Sequence, residues 1–260
     1  MAAKGKGKLY LIGAGPGHPE LLTLLAVRKL AEADVVLYDR LVSKDILACA
    51  PPHATLIYTG KHAGRQEHTQ SEIFELIREH ALAGKTVVRL KGGDPLIFGR
   101  GAEEWAFAMD LGIETEVIPG ISSATALPGL AGIPLTHRGV SQAFAVITGH
   151  CREGLAIEWS KYANIDTLVI LMGVQNRVFI AQSLIAAGRS PSEPVAFIER
   201  GTQEQERIVI STLEKVARGE VEVSSPAVWI VGEVVRLRAK LKAAIRAQQD
   251  PVTQPLPAAR

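Results

Sequence analysis

The sequence predicts an α/β protein of two domains of similar size with mostly parallel strand pairing, and three observations predict it. Short β-rich runs alternate with amphipathic stretches through most of the 260 residues. Glycine-rich turns stand directly after strand-like runs, where an open parallel sheet carries its ligand loops. A Gly- and Pro-punctuated stretch, Leu130 to Gly139, separates two sets of about five strands each.

The first set opens with LYLIGA (9–14). A helix is expected from Pro19 to Glu32, because a first helical turn tolerates a residue without an N–H. DVVLYD (34–39) and ATLIY (54–58) are the next strands, followed by a helix from Thr69 to Ala83. KTVVRL (85–90), a helix from Gly101 to Leu111 and ETEVI (114–118) complete the set. The second set starts with QAFAVITG (142–149) and DTLVILMG (166–173), and a helix from Val174 to Ala187 is ended by Gly188. EPVAFIER (193–200), ERIVIST (206–212) and PAVWIVG (226–232) finish it. The domains are therefore expected at 1–134 and 135–240, with no internal repeat relating them. A basic helix, RLRAKLKAAIRA, starts at Arg236, and the polar, Pro-rich residues 241–260 are expected to be a disordered tail.

Composition narrows the function classes. With 47% hydrophobic residues and a mean hydropathy of +0.14, the chain can bury a substantial core. Its 29 basic and 27 acidic residues leave a net charge of +2, which gives no whole-molecule field toward nucleic acid or membrane. Cys49 and Cys151 form neither a disulfide framework nor a metal-ligand spacing, so a reducing cytoplasmic setting is expected. The apolar run behind the basic start is too short for a signal peptide, and no stretch is long enough to span a bilayer.

The turn after the first strand, GAGPGHPELLT, imitates a dinucleotide fingerprint. It places Gly13, Gly15 and Gly17 in sequence, but His18 stands where the third glycine should allow helix packing. Pro16 also removes an N–H that would face the pyrophosphate. Asp39 does sit where a ribose-binding acid would, which keeps a nicotinamide oxidoreductase open on this motif alone. A second glycine turn, GGDPLIFGRGAEE, begins at Gly92 after the fourth strand, and two such turns in one domain imply a shared crevice.

The blocks GAGPGHPELLT, YDRLVS, GKHAG, GGDPLIFGRGAEE, PGISSATALPGLAGIPLTHR, TGH, LMG and ERGT occur in this order between about Lys8 and Leu237. Together they resemble the uroporphyrinogen-III C-methyltransferases of the tetrapyrrole methylase class. The resemblance implies two α/β domains with mixed, mostly parallel sheets and S-adenosyl-L-methionine in the interdomain cleft. S-adenosyl-L-homocysteine would be a product, uroporphyrinogen III the substrate and a homodimer the assembly. The reaction implied is methylation at C2 and C7 to precorrin-2, for cobalamin, sirohaem or haem d1. Same-fold alternatives are a methylase of another precorrin position or of a macromolecule; a non-catalytic cofactor-sensing module is a further reading.

By resemblance, Pro16, Gly92, Gly93, Asp94 and Ile97 line the cofactor site, with Ser122 and Ser123 as hydroxyl and backbone contacts. Met172 and Gly201 would close over the adenine, although without the resemblance Met172 reads first as core packing at a strand end. Asp39 would be the proton acceptor and Lys61 the donor, with Arg100 and Glu103 as assisting or rival catalytic residues. An octacarboxylate substrate calls for cations, and Arg40, Lys61, His62, Arg65, Arg100, His137 and Arg138 lie in the glycine-containing loops. No metal is expected: methyl transfer from a sulfonium needs none, and His62, Glu67 and His68 match no common ligand spacing.

Overall fold

A computed structural model of the chain describes residues 5–60, 69–150 and 157–241. It contains every strand expected. β1 (Lys8–Gly13), β2 (Val35–Tyr38), β3 (Thr55–Tyr58), β4 (Thr86–Lys91) and β5 (Glu114–Ile118) form one sheet in the order β3-β2-β4-β1-β5, with every pairing parallel. Both faces are covered, which is why these strands read as continuous apolar runs. Tyr10, Ile12, Val36, Val88 and Leu90 face Ala26 and Leu30 of α1 (Leu24–Leu30). Leu9, Leu11, Val35, Leu37 and Val87 face Ile73 and Ile77 of one helix and Ala108 of another. Those helices are α3 (Gln70–Leu82) and α4 (Gly101–Asp110); α2 (Lys44–Leu47) is a single turn that Ser43 caps.

The helix expected from Pro19 to Glu32 is divided. Pro19–Leu21 forms a 3-10 turn, then the backbone extends through Leu22 and Thr23, whose hydroxyl accepts the Ala26 N–H at 3.1 Å and starts α1 there. α5 (Ser123–Leu130), a helix not among those expected from the sequence, contains Pro128.

β6 (Phe144–Thr148), β7 (Thr167–Leu171), β8 (Pro194–Glu199), β9 (Arg207–Thr212) and β10 (Ala227–Val231) form the second sheet, in the order β6-β7-β10-β8-β9. Only β6 and β7 are parallel; β10 runs antiparallel to β7 and β8, and β8 antiparallel to β9. Mostly parallel pairing thus holds for the chain but not for this half. A strand's pattern reveals which residues are buried, not its direction; the short link from Glu199 to Arg207 is the available signal, since it suits an antiparallel neighbour. α6 (Arg177–Ala186) and α7 (Leu213–Ala217) pack on a core in which Phe197 and Trp229 stack with centroids 4.9 Å apart.

Two compact units result. The first runs to Ala126 and takes in Gly201–Glu204; the second runs from Leu127 to Arg200 and resumes at Gln205. The division falls inside α5, upstream of the change of character expected at 134/135. Residues 237–241 are helical, and the expected tail beyond 241 lies outside the described residues. No helix among the described residues is long and apolar enough to cross a membrane.

Candidate active site

In the first sheet the chain leaving β1 travels toward β2 while the chain leaving β4 travels toward β5 on the opposite edge, so the carboxyl ends of β1 and β4 flank the point where a parallel sheet binds ligands. Both glycine turns are there, and they are joined. Gly15 and Gly93 exchange backbone hydrogen bonds, at 3.2 Å from Gly15 N and 2.7 Å from Gly93 N. The loop after β5 is drawn in as closely: a Cβ on Gly120 would lie 2.2 Å from the Gly93 carbonyl oxygen and 2.6 Å from Gly13 Cα. Only glycine fits that contact. Gly93 is required for a different reason, since its φ is +70° while a Cβ there would meet nothing nearer than the Ser123 amide nitrogen at 3.9 Å.

Asp94 locks this floor. Its Oδ1 accepts the Leu96 N–H at 2.8 Å and its Oδ2 the Gly120 N–H at 3.1 Å, so the carboxylate ties the β4 loop to the β5 loop. The Ser122 hydroxyl is likewise engaged, accepting the Ala124 N–H at 3.3 Å at the start of α5. The Pro16 carbonyl accepts the Thr202 hydroxyl at 3.2 Å. Gly92 packs against Leu41, and Ile97 is exposed with Leu96 and Phe98. Gly201 is buried and belongs to the first unit.

Asp39 follows β2 directly, beside β4, and is the centre of a charged cluster. Arg89 Nη2 donates to Asp39 Oδ1, and the Thr59 hydroxyl lies 3.3 Å from the same oxygen. Arg89 Nε donates to Glu104 Oε1 at 3.0 Å, Lys91 Nζ to that oxygen at 3.1 Å, and Gln70 Nε2 at 3.3 Å. Glu104 is fully buried and its Oε2 has no hydrogen-bond partner among the described residues; Arg89 and Lys91 are 2% and 3% exposed. Burial opposes the charge of Arg89, but Asp39 and Glu104 outweigh it and hold its pKa above the ordinary value. Burial, and then the neighbouring Arg89, push Lys91 below its ordinary value against the pull of Glu104 and Asp39. Arg89, Lys91 and Glu104 were missed in the sequence. Their signal was two cations, two residues apart, closing an otherwise apolar central strand.

Arg100 and Glu103 stand apart from that cluster's hydrogen bonds. Arg100 holds a left-handed conformation at the start of α4 and pairs with Glu103, Nε to Oε1 at 3.0 Å and Nη2 to Oε2 at 2.6 Å, with both side chains about half exposed. Arg40 is exposed next to Asp39. In the second unit, Met172 is 50% exposed with φ +55° at the end of β7, which removes the core-packing reading. His137 and Arg138 lie on an exposed turn, His137 Nδ1 being 2.8 Å from the Arg138 carbonyl oxygen. Lys61, His62 and Arg65 lie outside the described residues, as do Glu67 and His68. Among the described residues no group of His, Cys, Asp and Glu could hold a metal ion. A depression of about 320 Å³ in the second unit, bordered by Asp166, Arg189 and Glu193, presents no open cation, because Arg189 commits all its N–H groups to Glu193 and to the carbonyls of Ala163, Ile165 and Asp166.

Residues 8–217 match the family model of the Tetrapyrrole (Corrin/Porphyrin) Methylases. The chain is 47% identical over 237 residues to the S-adenosyl-L-methionine-dependent uroporphyrinogen III methyltransferase of Methanosarcina barkeri, which covers 89% of this chain and 93% of that protein. It is 46% identical over 242 residues to the siroheme synthase of Acinetobacter baylyi, covering 91% of this chain but 53% of that protein. The chain thus spans about half the length of the siroheme synthases it matches. The crystal structure of uroporphyrin-III C-methyl transferase from Thermus thermophilus, complexed with S-adenosyl homocysteine, is similar with a TM-score of 0.79 at 49% identity, covering 89% of this chain and 94% of that one. The chain belongs to the tetrapyrrole methylases.

Proposed function

We propose that this chain is an S-adenosylmethionine-dependent C-methyltransferase that methylates uroporphyrinogen III at C2 and C7 to give precorrin-2. The observation that carries the reading is the likeness to the Methanosarcina barkeri methyltransferase along nearly its whole length. The first unit's geometry fits the cofactor's needs: a glycine floor with open space above Gly93, the Ser123 amide bordering it and exposed Ile97 beside it.

S-adenosylmethionine supplies a methyl group on a positively charged sulfur. An in-line displacement asks the protein chiefly for alignment and exclusion of water. Gly93 and Ser123 would hold the cofactor's polar end through backbone groups, and Pro16 and Ile97 would border its apolar parts. The Asp39 carboxylate takes the proton that the ring loses after the new carbon–carbon bond forms. Arg100 offers a planar fork to the substrate's carboxylates, with Glu103 holding it in orientation. Arg40 adds a second cation beside Asp39. A homodimer goes with this reading, and its test is the solution mass measured against the 27.9 kDa chain.

The deciding experiment is anaerobic incubation of the full chain with uroporphyrinogen III and S-adenosylmethionine, followed by mass spectrometry of the filtrate. One ring turnover uses one cofactor, whose spent form must leave before the next enters. With cofactor below one equivalent, a free monomethyl tetrapyrrole is expected, converted to the dimethyl product when more is added. Absence of any methylated tetrapyrrole would overturn the reading.

A further inference from the structure

A central parallel strand covered on both faces calls for apolar side chains, yet β4 ends in Arg89 and Lys91. They share a face, because they are two residues apart on a strand, and that face meets α4 with its buried Glu104. Buried ion pairs of this kind can often be replaced by well-packed apolar residues without loss of stability. Folding alone therefore does not account for the cluster. It stands at the carboxyl end of the sheet, and of Asp39, Arg89, Lys91 and Glu104 only the Asp39 side chain, 30% exposed, reaches solvent.

We infer that Arg89, Lys91 and Glu104 are positioning residues for Asp39, holding its carboxylate so that Oδ1 is occupied and Oδ2 accepts the substrate's proton. The inference rests on the reading of Asp39 as the proton acceptor. Oδ1 takes Arg89 and borders Thr59, whereas Oδ2 accepts no hydrogen bond among the described residues; Lys91 Nζ lies 3.9 Å from it. The guanidinium is fixed from behind, since Glu104 Oε1 receives Arg89, Lys91 and Gln70 together and cannot turn without breaking those bonds. Lys91 thereby steadies Glu104 while adding positive charge near Oδ2.

Among the described residues, Arg89 and Lys91 from β4 and Thr59 after β3 face Asp39, with Glu104 from α4 behind the two cations and Arg40 next in the chain. In the step, the substrate's C–H bond breaks and its electron pair stays in the tetrapyrrole. The proton moves to Oδ2 and from there to water through the exposed side of Asp39.

The test uses the full chain with Asp39→Asn, Arg89→Lys, Glu104→Gln, and the double change Arg89→Met with Glu104→Leu. The double change removes opposite charges together and leaves Lys91 and Asp39, 3.9 Å apart, as the remaining ion pair. Thermal melting and S-adenosylhomocysteine calorimetry report folding and cofactor binding; anaerobic kinetics report kcat, KM and the pH profile. For the double variant, cofactor affinity and KM are expected to stay within about threefold of the parent while kcat falls roughly 10- to 100-fold. In Arg89→Lys kcat is expected to fall while KM holds, because an ammonium lacks the planar fork that reaches Asp39 and Glu104 together. Glu104→Gln should show a smaller fall in kcat. Full activity of Asp39→Asn would overturn the reading of Asp39 itself. An inactive Asp39→Asn beside parent-like kcat and pH profile in the double variant would overturn the positioning role alone. If the double variant does not fold, Arg89→Lys and Glu104→Gln decide on the same criteria.

Discussion

In the second unit, Arg189 gives its N–H groups to both oxygens of Glu193 and to three backbone carbonyls, and Glu199 receives Arg207 on both oxygens and the Ser224 N–H on one. In the first unit, and among the described residues, Glu104 crowds three donors onto Oε1 and leaves Oε2 with none, and Asp39 Oδ2 accepts no hydrogen bond. Both arrangements bury charge, Arg89 and Glu104 of the first more completely than Glu193 or the half-exposed Arg207 of the second. The difference is satisfaction: one clamps backbone and matches each oxygen, while the other accepts an unpaired buried oxygen at the ligand end of a parallel sheet. Unsatisfied polar groups persist in native structures where something other than stability retains them. Buried charge thus acts as a staple in the second unit and as a site component in the first.

The largest expected effect breaks the first arrangement. Arg89→Met leaves Asp39 and Glu104 without their shared cation and is expected to cost about 3–5 kcal/mol in urea unfolding. Arg189→Ala in the second unit is expected to cost less, about 2 kcal/mol, because Glu193 lies nearer solvent and can rehydrate. The sharper contrast is in rescue. Adding Glu104→Leu to Arg89→Met should recover much of the stability but not the parent kcat, whereas Arg189→Ala should lose stability with S-adenosylhomocysteine affinity unchanged. Equal rescue of turnover and stability in the first unit would make the two clusters alike.

That contrast was only partly legible in the sequence. The strands announced themselves through apolar runs bounded by turns, and the glycine turns marked where the ligand loops stand. Direction in the second sheet did not show, since β8 and β10 are buried along nearly their whole length and would be so whichever way they ran. α2 and α7 are too short for a helical period to emerge, and Pro128 hid α5. In the site, Asp39 was visible as an acid closing a strand. Its partners were not, because Arg89 and Lys91 in KTVVRLK look like ordinary strand-edge cations until β4 is known to be central. Adjacent Glu103 and Glu104 also read alike; one turn of α4 sends one to the surface pair and the other into the core.

A smaller effect separates the units by pH. Hydrogen bonds from Arg207, opposed by burial and aided by the Ser224 N–H, hold the Glu199 carboxyl below the usual carboxylate range. Its folded pKa is therefore below its unfolded value, so the unfolded chain binds more protons as pH falls. The stabilisation is complete above the unfolded value of about 4.3 and is lost as pH drops from there through the folded pKa. Glu199→Gln is expected to flatten the fall of the urea midpoint in that acid window while leaving the acid limb of methyl transfer where it was. If the variant moves the kinetic limb and not the midpoint, Glu199 belongs with the site and the staple reading of the second unit fails.

The smallest effect on stability is expected at Arg100, and it sharpens the comparison because Arg100 is charged, in the first unit and not buried. Its pair with Glu103 is about half exposed on both sides, and surface pairs of that kind contribute at most about 1 kcal/mol. Lysine keeps the charge and can take the same left-handed backbone at the start of α4, so Arg100→Lys should shift unfolding by less than about 0.5 kcal/mol. What lysine cannot keep is the planar fork that now meets Glu103 through Nε and Nη2. A tetrapyrrole carboxylate gripped through that fork would lose one of two parallel hydrogen bonds. Turnover is therefore expected to fall by much more than S-adenosylhomocysteine affinity, measured by anaerobic kinetics and calorimetry on the same preparation. Unaltered kinetics would make Arg100 a solvated surface charge, and would leave the buried cluster around Asp39 to account for the first unit's chemistry.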